Sequence, residues 1–202
     1  QATTLAMLGL AKIIQGEWTR ALNYHVQAAQ ISHTSGNPLI ETWNLGLQGF
    51  ERFMLNGDTG GLKSIPNALA EAERMNSWLM HSMSYAMLAE MQGRLGRFHE
   101  AIQSAQLSLS RKDDGDRFGE VLAELAMALA KALHDEPPAP HWRTHIENAK
   151  TLAREKGLLP YMGMAHLRAA ELMHLTGDAR GAAEEVVQAT ALFRGMDMPW
   201  WS

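Results

Sequence analysis

Turn-like breaks recur along this chain at a period of about 40 residues, which is typical of stacked helical hairpins. This period limits the possible folds more than any other feature. Gly16, Gly57, Gly96 and Gly177 each separate two stretches with helical hydrophobic spacing. The first two intervals are nearly equal, the third is about twice as long, and a proline-rich segment at 134–141 divides it near its middle. The sequence therefore predicts an all-α fold of about five hairpins.

Helical spacing fills the segments between these breaks. It is clearest over residues 77–92, where the apolar positions are Leu79, Met80, Met83, Ala86, Met87 and Met91. Ser77 is expected to cap this helix, and Asn37 with Pro38 to begin the third one. The predicted helices span about 2–15, 17–34, 38–56, 60–75, 78–94, 98–111, 116–134, 141–156, 159–175 and 179–196. They form one domain with units at about 1–36, 37–76, 77–115, 116–157 and 158–202.

Three of the turns share a residue pattern. A mid-sized residue stands two places after the glycine, an alanine five places after it, and a small residue seven further on. In order, these residues are Trp18, Ala21 and Ala28; Phe98, Ala101 and Ser108; and Ala179, Ala182 and Ala189. Glycine lets the chain reverse, and a residue larger than alanine at the helix contact would overpack it by about 1–3 kcal/mol.

This pattern resembles the tetratricopeptide repeat. Gly9, seven places before Gly16, matches the small residue that this family has in the first helix of each unit. The resemblance implies a right-handed superhelical solenoid of about ten helices with a concave inner surface. Unit two departs from the pattern because Leu62 stands at the alanine position, and unit four departs because of its proline turn.

Residues 115–201, and above all the ending LFRGMDMPWW, resemble the C-terminal repeats of bacterial multidomain signalling proteins. In that class, tetratricopeptide repeats follow a class III adenylate or guanylate cyclase domain and an AAA-like or STAND ATPase. Transcription regulators of the STAND type have similar repeats, so the identity of upstream domains stays open. The resemblance implies a non-catalytic interaction or sensor module. Because the chain begins at Gln1 and ends near Trp200 and Trp201, we expect a piece of a longer polypeptide, with the two tryptophans against the last hairpin or a missing segment.

Composition narrows the possible partners. The formal net charge is −4, and the pI near 6.1 disfavours a nucleic-acid surface. The absence of cysteine excludes disulfides and cysteine-ligated metal sites. No apolar run approaches the roughly 18 residues of a membrane span. We therefore expect a cytoplasmic protein without nucleic-acid or membrane partners.

Three motifs imitate chemical sites. Residues 57–64, GDTGGLKS, approach a phosphate-binding loop, but Leu62 stands where the second glycine is needed, so a plain hairpin turn is expected. His141 and His145 have the spacing of two metal ligands but no third ligand nearby, which favours surface histidines. The methionines at 80, 83, 87 and 91 suit either a core or an adaptable peptide groove. We expect no catalytic residue, cofactor or metal in this segment.

A recurring glutamate suggests a binding surface. Glu51, Glu90 and Glu171 each lie six places before a turn glycine. If the units stack, they project into the concave groove that tetratricopeptide proteins use for peptides; the alternative is that they are merely solvated. Their expected neighbours in the groove are Asn44, Leu47, Met83, Ala86, Arg94, Met164, Leu167 and His174. Such an acidic stripe would prefer a basic, partly apolar segment, for which another domain of the same parent chain is a candidate.

Two other functions remain open. One is the sensing of a small inducer, as in transcription regulators of the STAND type, which a small, buried polar pocket would favour over a long open groove. The other is self-association, because the first predicted helix is apolar on nearly every side and Trp200 and Trp201 are apolar at the other end. Self-association would then give a homodimer through one terminal face.

Overall fold

Ten α-helices make up most of the chain in a computed structural model that describes residues 1–78, 80–111, 117–134, 141–198 and 201. No strand occurs in these ranges, so the all-α prediction is confirmed. The helices are α1 (Ala2–Ile14), α2 (Trp18–Thr34), α3 (Pro38–Asn56), α4 (Gly61–Arg74), α5 (His81–Arg94), α6 (Phe98–Ser110), α7 (Arg117–His134), α8 (Trp142–Glu155), α9 (Leu159–Leu175) and α10 (Ala179–Gly195).

The helices pack in sequence order. Each helix contacts the next one along the chain, and the odd-numbered helices also contact each other, α1 with α3, α3 with α5, α5 with α7 and α7 with α9. One large apolar cluster joins α1 to α5, and a second joins α7 to α9. Leu122 packs against both clusters, so the two halves of the core are continuous.

The four turn glycines all require a left-handed backbone. Gly16, Gly57, Gly96 and Gly177 have φ angles of 77°, 78°, 75° and 86°, a region that residues with a side chain rarely adopt. The predicted start of α3 is also confirmed, because the Asn37 side chain accepts a hydrogen bond from the Ile40 amide and Pro38 follows it.

The start of α5 differs from the prediction. The helix begins at His81 rather than at residue 78, and its N-cap is Met80 instead of Ser77. Met80 has a φ of 64° and Asn76 one of 52°, so two left-handed residues delay the helix. Among the described residues α5 has no side-chain cap, and the His81 amide donates to the Trp78 carbonyl oxygen at 3.3 Å.

Small residues allow adjacent helices to approach closely. A side chain at Gly9 would collide with the His25 ring, and one at Gly49 would collide with the backbone of Gly61. The predicted contact alanines, Ala21, Ala28, Ala101, Ala182 and Ala189, are all buried. In unit two the close contact is made by Gly61, while Leu62 is only half-buried, so the departure expected at Leu62 is a shift by one position.

Aromatic residues fill the space beside the turns. Trp18 meets Phe50 edge to face with ring centroids 6.0 Å apart, and Phe98 meets His134 in the same way at 6.2 Å. Several sequence-based predictions lie outside the described residues: the helical position of Leu79, the boundary between units at 115–116, most of the proline-rich segment (135–140) and the packing of Trp200. Where the structure describes helices, none is both long and apolar enough to cross a membrane.

Candidate functional site

The odd-numbered helices share a cavity of about 280 Å³. It is lined from α1, α3, α5, α7 and α9, with Trp18 and Trp201 completing the wall, and most of its surface is apolar. The apolar lining residues are Leu10, Ile13, Ile14, Trp18, Phe50, Met54, Met83, Ala86, Met87, Phe118, Leu122, Leu125, Tyr161, Met164, Leu167 and Trp201. Apolar walls with a few placed polar groups are typical of small-molecule sites.

Four charged side chains from α5 and α9 also line the cavity: Glu90, Arg94, Arg168 and Glu171. Glu90 Oε1 accepts hydrogen bonds from Arg94 Nε at 2.6 Å and from Arg168 Nη2 at 2.5 Å. Glu171 lies 3.1 Å from Arg168 Nε and 3.6 Å from Arg94 Nη1. Because two carboxylates face two guanidinium groups, this ion-pair cluster has no net charge.

The cluster holds its charges despite burial. Burial alone would raise the pKa of Glu90, but the nearby Arg168 and Arg94 outweigh it and hold that pKa below its ordinary value. Burial would likewise lower the pKa of Arg168, and the carboxylates of Glu90 and Glu171 raise it instead. Glu90 is therefore ionised at neutral pH, and a ligand in the cavity meets a cluster of paired charges rather than an isolated charge.

Most of the predicted groove residues do come together at this cavity. Those that line it are Met83, Ala86, Glu90, Arg94, Met164, Leu167 and Glu171. Asn44, Leu47 and Glu51 are instead buried between helices, and His174 is exposed outside the cavity. The continuous stripe of three glutamates does not form, because Glu51 is absent from the cavity.

One extra residue in α3 explains the different position of Glu51. Phe50 and Met54 of α3 line the cavity as Glu90 and Arg94 of α5 do. The sequence separation is the same in the two pairs, so Phe50 corresponds to Glu90 and Met54 to Arg94. Gly57 and Gly96 are one position closer together in the sequence than Phe50 and Glu90 are. The residue six places before Gly57 is therefore Glu51, whereas the position that corresponds to Glu90 is Phe50. One residue turns the side chain by about 100° around a helix, and this rotation moves Glu51 out of the cavity.

Glu51 instead forms a buried pair with His25. The distance from His25 Nδ1 to Glu51 Oε1 is 2.5 Å, both side chains are fully buried, and Gly9 leaves the space for the imidazole. His25 Nε2 lies 3.1 Å from the Ala6 carbonyl oxygen. Because a carbonyl only accepts, Nε2 carries a proton and donates it there.

The contact between Nδ1 and Oε1 therefore needs a second proton. Without it, a nitrogen lone pair would face a carboxylate oxygen. Burial raises the pKa of Glu51, although the hydrogen bond and charge of His25 oppose part of that rise. We assign one shared proton to the His25–Glu51 pair, which keeps the pair neutral overall inside the core.

Trp201 connects the two ends of the described chain at the cavity. Its Nε1 donates a hydrogen bond to the Ile14 carbonyl oxygen at 2.9 Å. Its ring stacks on Phe193 with centroids 5.5 Å apart and meets Trp18 edge to face at 6.4 Å. Gly16 contributes by having no side chain, because a Cβ there would lie 3.0 Å from the indole. Trp201 thus packs against the first hairpin as well as the last.

The remaining candidate motifs have local partners. His145 Nδ1 lies 2.6 Å from Glu124 Oε2, while His141 is exposed. Among the described residues, no group of three histidine or acidic side chains is placed to hold a metal. In the segment 57–64, Asp58 Oδ1 accepts a hydrogen bond from the Gly60 amide within a turn. Of the four methionines, Met83 and Met87 line the cavity and the other two are core residues.

Several parts of the site could not be predicted from the sequence, among them the walls that α1 and α7 contribute. Phe50 and Met54 were hidden by the extra residue of α3, although their equal spacing from Glu90 and Arg94 could have revealed them. Arg168 lies three places before Glu171, a spacing that signals a pair on one helix face. The contact of Trp201 with Ile14 joins residues that are far apart in the sequence, and no pattern near either residue predicts it.

Comparison with known proteins adds no family to this description. No protein-family model matches the chain, and no curated protein is significantly similar to it. The resemblances to tetratricopeptide proteins and to bacterial signalling proteins therefore stay predictions.

Proposed function

We propose that this chain is a non-catalytic binding module that takes a small, mainly apolar ligand into its inner cavity. In this proposal the ten helices form a tetratricopeptide-like, right-handed solenoid, and the odd-numbered helices provide its concave side. The contacts between successive odd-numbered helices and the four left-handed turn glycines support this arrangement. Stacked repeats of this kind build a binding surface from many units.

The cavity is the observation that carries the proposal. A peptide groove would be long and open, whereas here α1, α5, α9 and Trp201 all line one space of about 280 Å³. That volume lies just below the usual range for small-molecule sites, about 300–1,000 Å³. Met83, Met87 and Met164 in the wall have flexible side chains that adapt to the shape of a ligand. A small molecule therefore fits this space better than an extended peptide.

In this proposal the chain also acts as a sensor within a larger signalling protein. A ligand between α5 and α9 would change how these helices pack, and a neighbouring domain of the parent chain could respond to that change. The resemblance to cyclase- and STAND-linked repeats motivates this step. The proposal does not specify which enzymatic domain such a parent chain would carry.

A neutral apolar fluorophore, N-phenyl-1-naphthylamine, tests the proposed function. We expect saturable binding with a stoichiometry near one per chain. Ala86→Phe places a ring in the cavity, since Ala86 is buried in its wall, and should abolish the signal. Ala183→Phe, on the exposed side of α10, is the matched control and should bind like the wild type. Equal binding by both variants, or none by the wild type, would contradict the proposal.

Self-association is a second candidate function. Met7 and Leu8 of α1 are adjacent, and each is 44% exposed. Exposed apolar neighbours on a terminal helix suit contact with a second copy or another protein. Met7→Lys together with Leu8→Glu should convert any dimer to a monomer in sedimentation equilibrium. A wild-type chain that is monomeric at high concentration would exclude this function.

A further inference from the structure

We infer that the cavity ligand is a small amphipathic carboxylic acid, with its apolar body in the cavity and its carboxylate bound to Arg94. This inference rests on the proposed binding function and adds the chemical class of the ligand. It depends on the unequal use of the two arginines in the ion-pair cluster.

Arg168 is fully engaged. Its Nη2 donates to Glu90, its Nε faces Glu171, and its Nη1 donates to the Leu125 carbonyl oxygen at 3.5 Å. Its side chain is only 10% exposed. This arginine holds α9 against α5 and α7 and has no free edge for a ligand.

Arg94 is different, because its paired edge is used and its outer edge is open. Within the described residues its hydrogen bond is the one from Nε to Glu90. The contact of Nη1 with Glu171 is 3.6 Å long, beyond hydrogen-bonding distance. The two terminal nitrogens of a guanidinium form the fork that binds a carboxylate with two parallel hydrogen bonds. Arg94 thus offers this fork at the cavity wall.

The position of Arg94 suits an amphipathic molecule. Its side chain is 35% exposed and that of Glu171 is 37% exposed, so the charged part of the cavity wall reaches solvent. A carboxylate there keeps part of its hydration while the apolar body is buried. Glu171 lies 3.1 Å from Arg168 Nε, and this ion pair offsets part of the repulsion between its carboxylate and that of a ligand.

The same cluster disfavours a cationic ligand. Glu90 already accepts hydrogen bonds from two arginines, and Glu171 faces Arg168. An ammonium group bound to Glu171 would lie beside Arg168 and Arg94, and their positive charges would oppose it. Among the described residues the terminal nitrogens of Arg94 make no hydrogen bond and Glu171 accepts none. Of these two groups, the guanidinium is the one that presents a planar fork of two donors, and the group complementary to that fork is a carboxylate.

Displacement of bound N-phenyl-1-naphthylamine near neutral pH tests the inference. The competitors are octanoate, octanol and octylamine, which share one alkyl chain and differ in the head group. In the wild type, octanoate should compete at least about tenfold better than octanol, because hydrogen bonds to charged groups are the strong ones. Octylamine should be the weakest of the three.

Variants of Arg94 locate the carboxylate. Arg94→Gln should remove the advantage of octanoate and change octanol by less than about twofold, while Arg94→Lys, which keeps the charge without the fork, should lie between. Arg180→Gln changes an arginine whose side chain is 92% exposed and should behave like the wild type. Thermal unfolding checks that each variant is folded.

The outcomes separate the inference from the proposed function. If octanol displaces the dye as well as octanoate, the cavity binds ligands but the inference is wrong. An advantage of octanoate that survives in both Arg94 variants overturns the role of Arg94. If the wild type binds neither the dye nor any competitor, the proposed function itself fails.

Discussion

Replacing Glu51 with glutamine should change how the stability of the fold depends on pH. In the wild type the His25–Glu51 pair holds one shared proton, as the two contacts of the imidazole require. Glutamine can donate its amide hydrogen to Nδ1 and keep the contact, but it does not titrate. The difference in unfolding free energy between the two proteins therefore isolates the proton of the pair.

The sign follows from the raised pKa of Glu51. A raised folded-state pKa means that the folded chain keeps a proton that the unfolded chain releases, so stability falls as pH rises. Between the ordinary pKa of a carboxyl group and about pH 6.5, an unfolded histidine carries that proton, and the two states are balanced. Above about pH 6.5 the unfolded wild type loses it, and the loss of its own stability begins. Relative to Glu51→Gln, whose unfolded His25 binds the same proton, the loss already begins above the ordinary pKa of a carboxyl group.

One proton corresponds to about 1.4 kcal/mol per pH unit. For each pH unit above about pH 7 over which the pair keeps its proton, the wild type should thus lose about 1.4 kcal/mol relative to Glu51→Gln. Urea unfolding of both proteins at several pH values measures this difference. Calorimetry in buffers with different ionisation enthalpies should also find that the wild type releases more protons on unfolding than Glu51→Gln does.

A difference between the two proteins that stays constant from about pH 6 to pH 9 would refute the reasoning. It would mean that the pair carries no extra proton and that Nε2 is not the donor to Ala6. Other titrating groups are common to both proteins, so they cancel in the comparison.

Three further substitutions have direct structural consequences. Gly9→Ala should destabilise the fold by about 1–3 kcal/mol in urea unfolding, because its methyl group meets the His25 ring and this outweighs the better helix propensity of alanine. Trp201→Ala should lower the unfolding free energy by about 2 kcal/mol, since it removes the hydrogen bond to Ile14 and a stacked ring; an unchanged melting temperature would contradict this contact. His81→Phe should stabilise the fold by about 1 kcal/mol, because both ring nitrogens of His81 are buried and have no hydrogen-bond partner among the described residues; a lower melting temperature would contradict this explanation.

Helix positions could be predicted from the sequence because their signals are local. The turn glycines and the Asn37–Pro38 start lie close to the helix ends they mark, and α3 and α9 have the predicted bounds. The start of α5 could not be predicted in this way. It depends on the left-handed backbone at Asn76 and Met80, two residue types that do not demand that conformation.

The site was less predictable because it depends on contacts between distant residues. Glu90 pairs with Arg168, 78 residues away, and Trp201 bonds to Ile14, 187 residues away. Periodicity shows which residues share a helix face, but it does not show which faces meet. A single extra residue in α3 was enough to move Glu51 from the expected groove into the core.

The paired charges of α5 and α9 select a ligand in a different way from the acidic stripe that the sequence predicted. The two helices present matching positions to the cavity, and Glu90 and Glu171 occupy the same place in each. Two like charges at stacked positions would repel each other, and Arg94 and Arg168 neutralise them from the same helices. A basic partner would thus gain little from long-range attraction, because a neutral cluster has a weak field beyond its own size. Selection must instead depend on short-range geometry: the shape of the apolar cavity and the open fork of Arg94, which together distinguish a carboxylic acid from an alcohol or amine with the same chain.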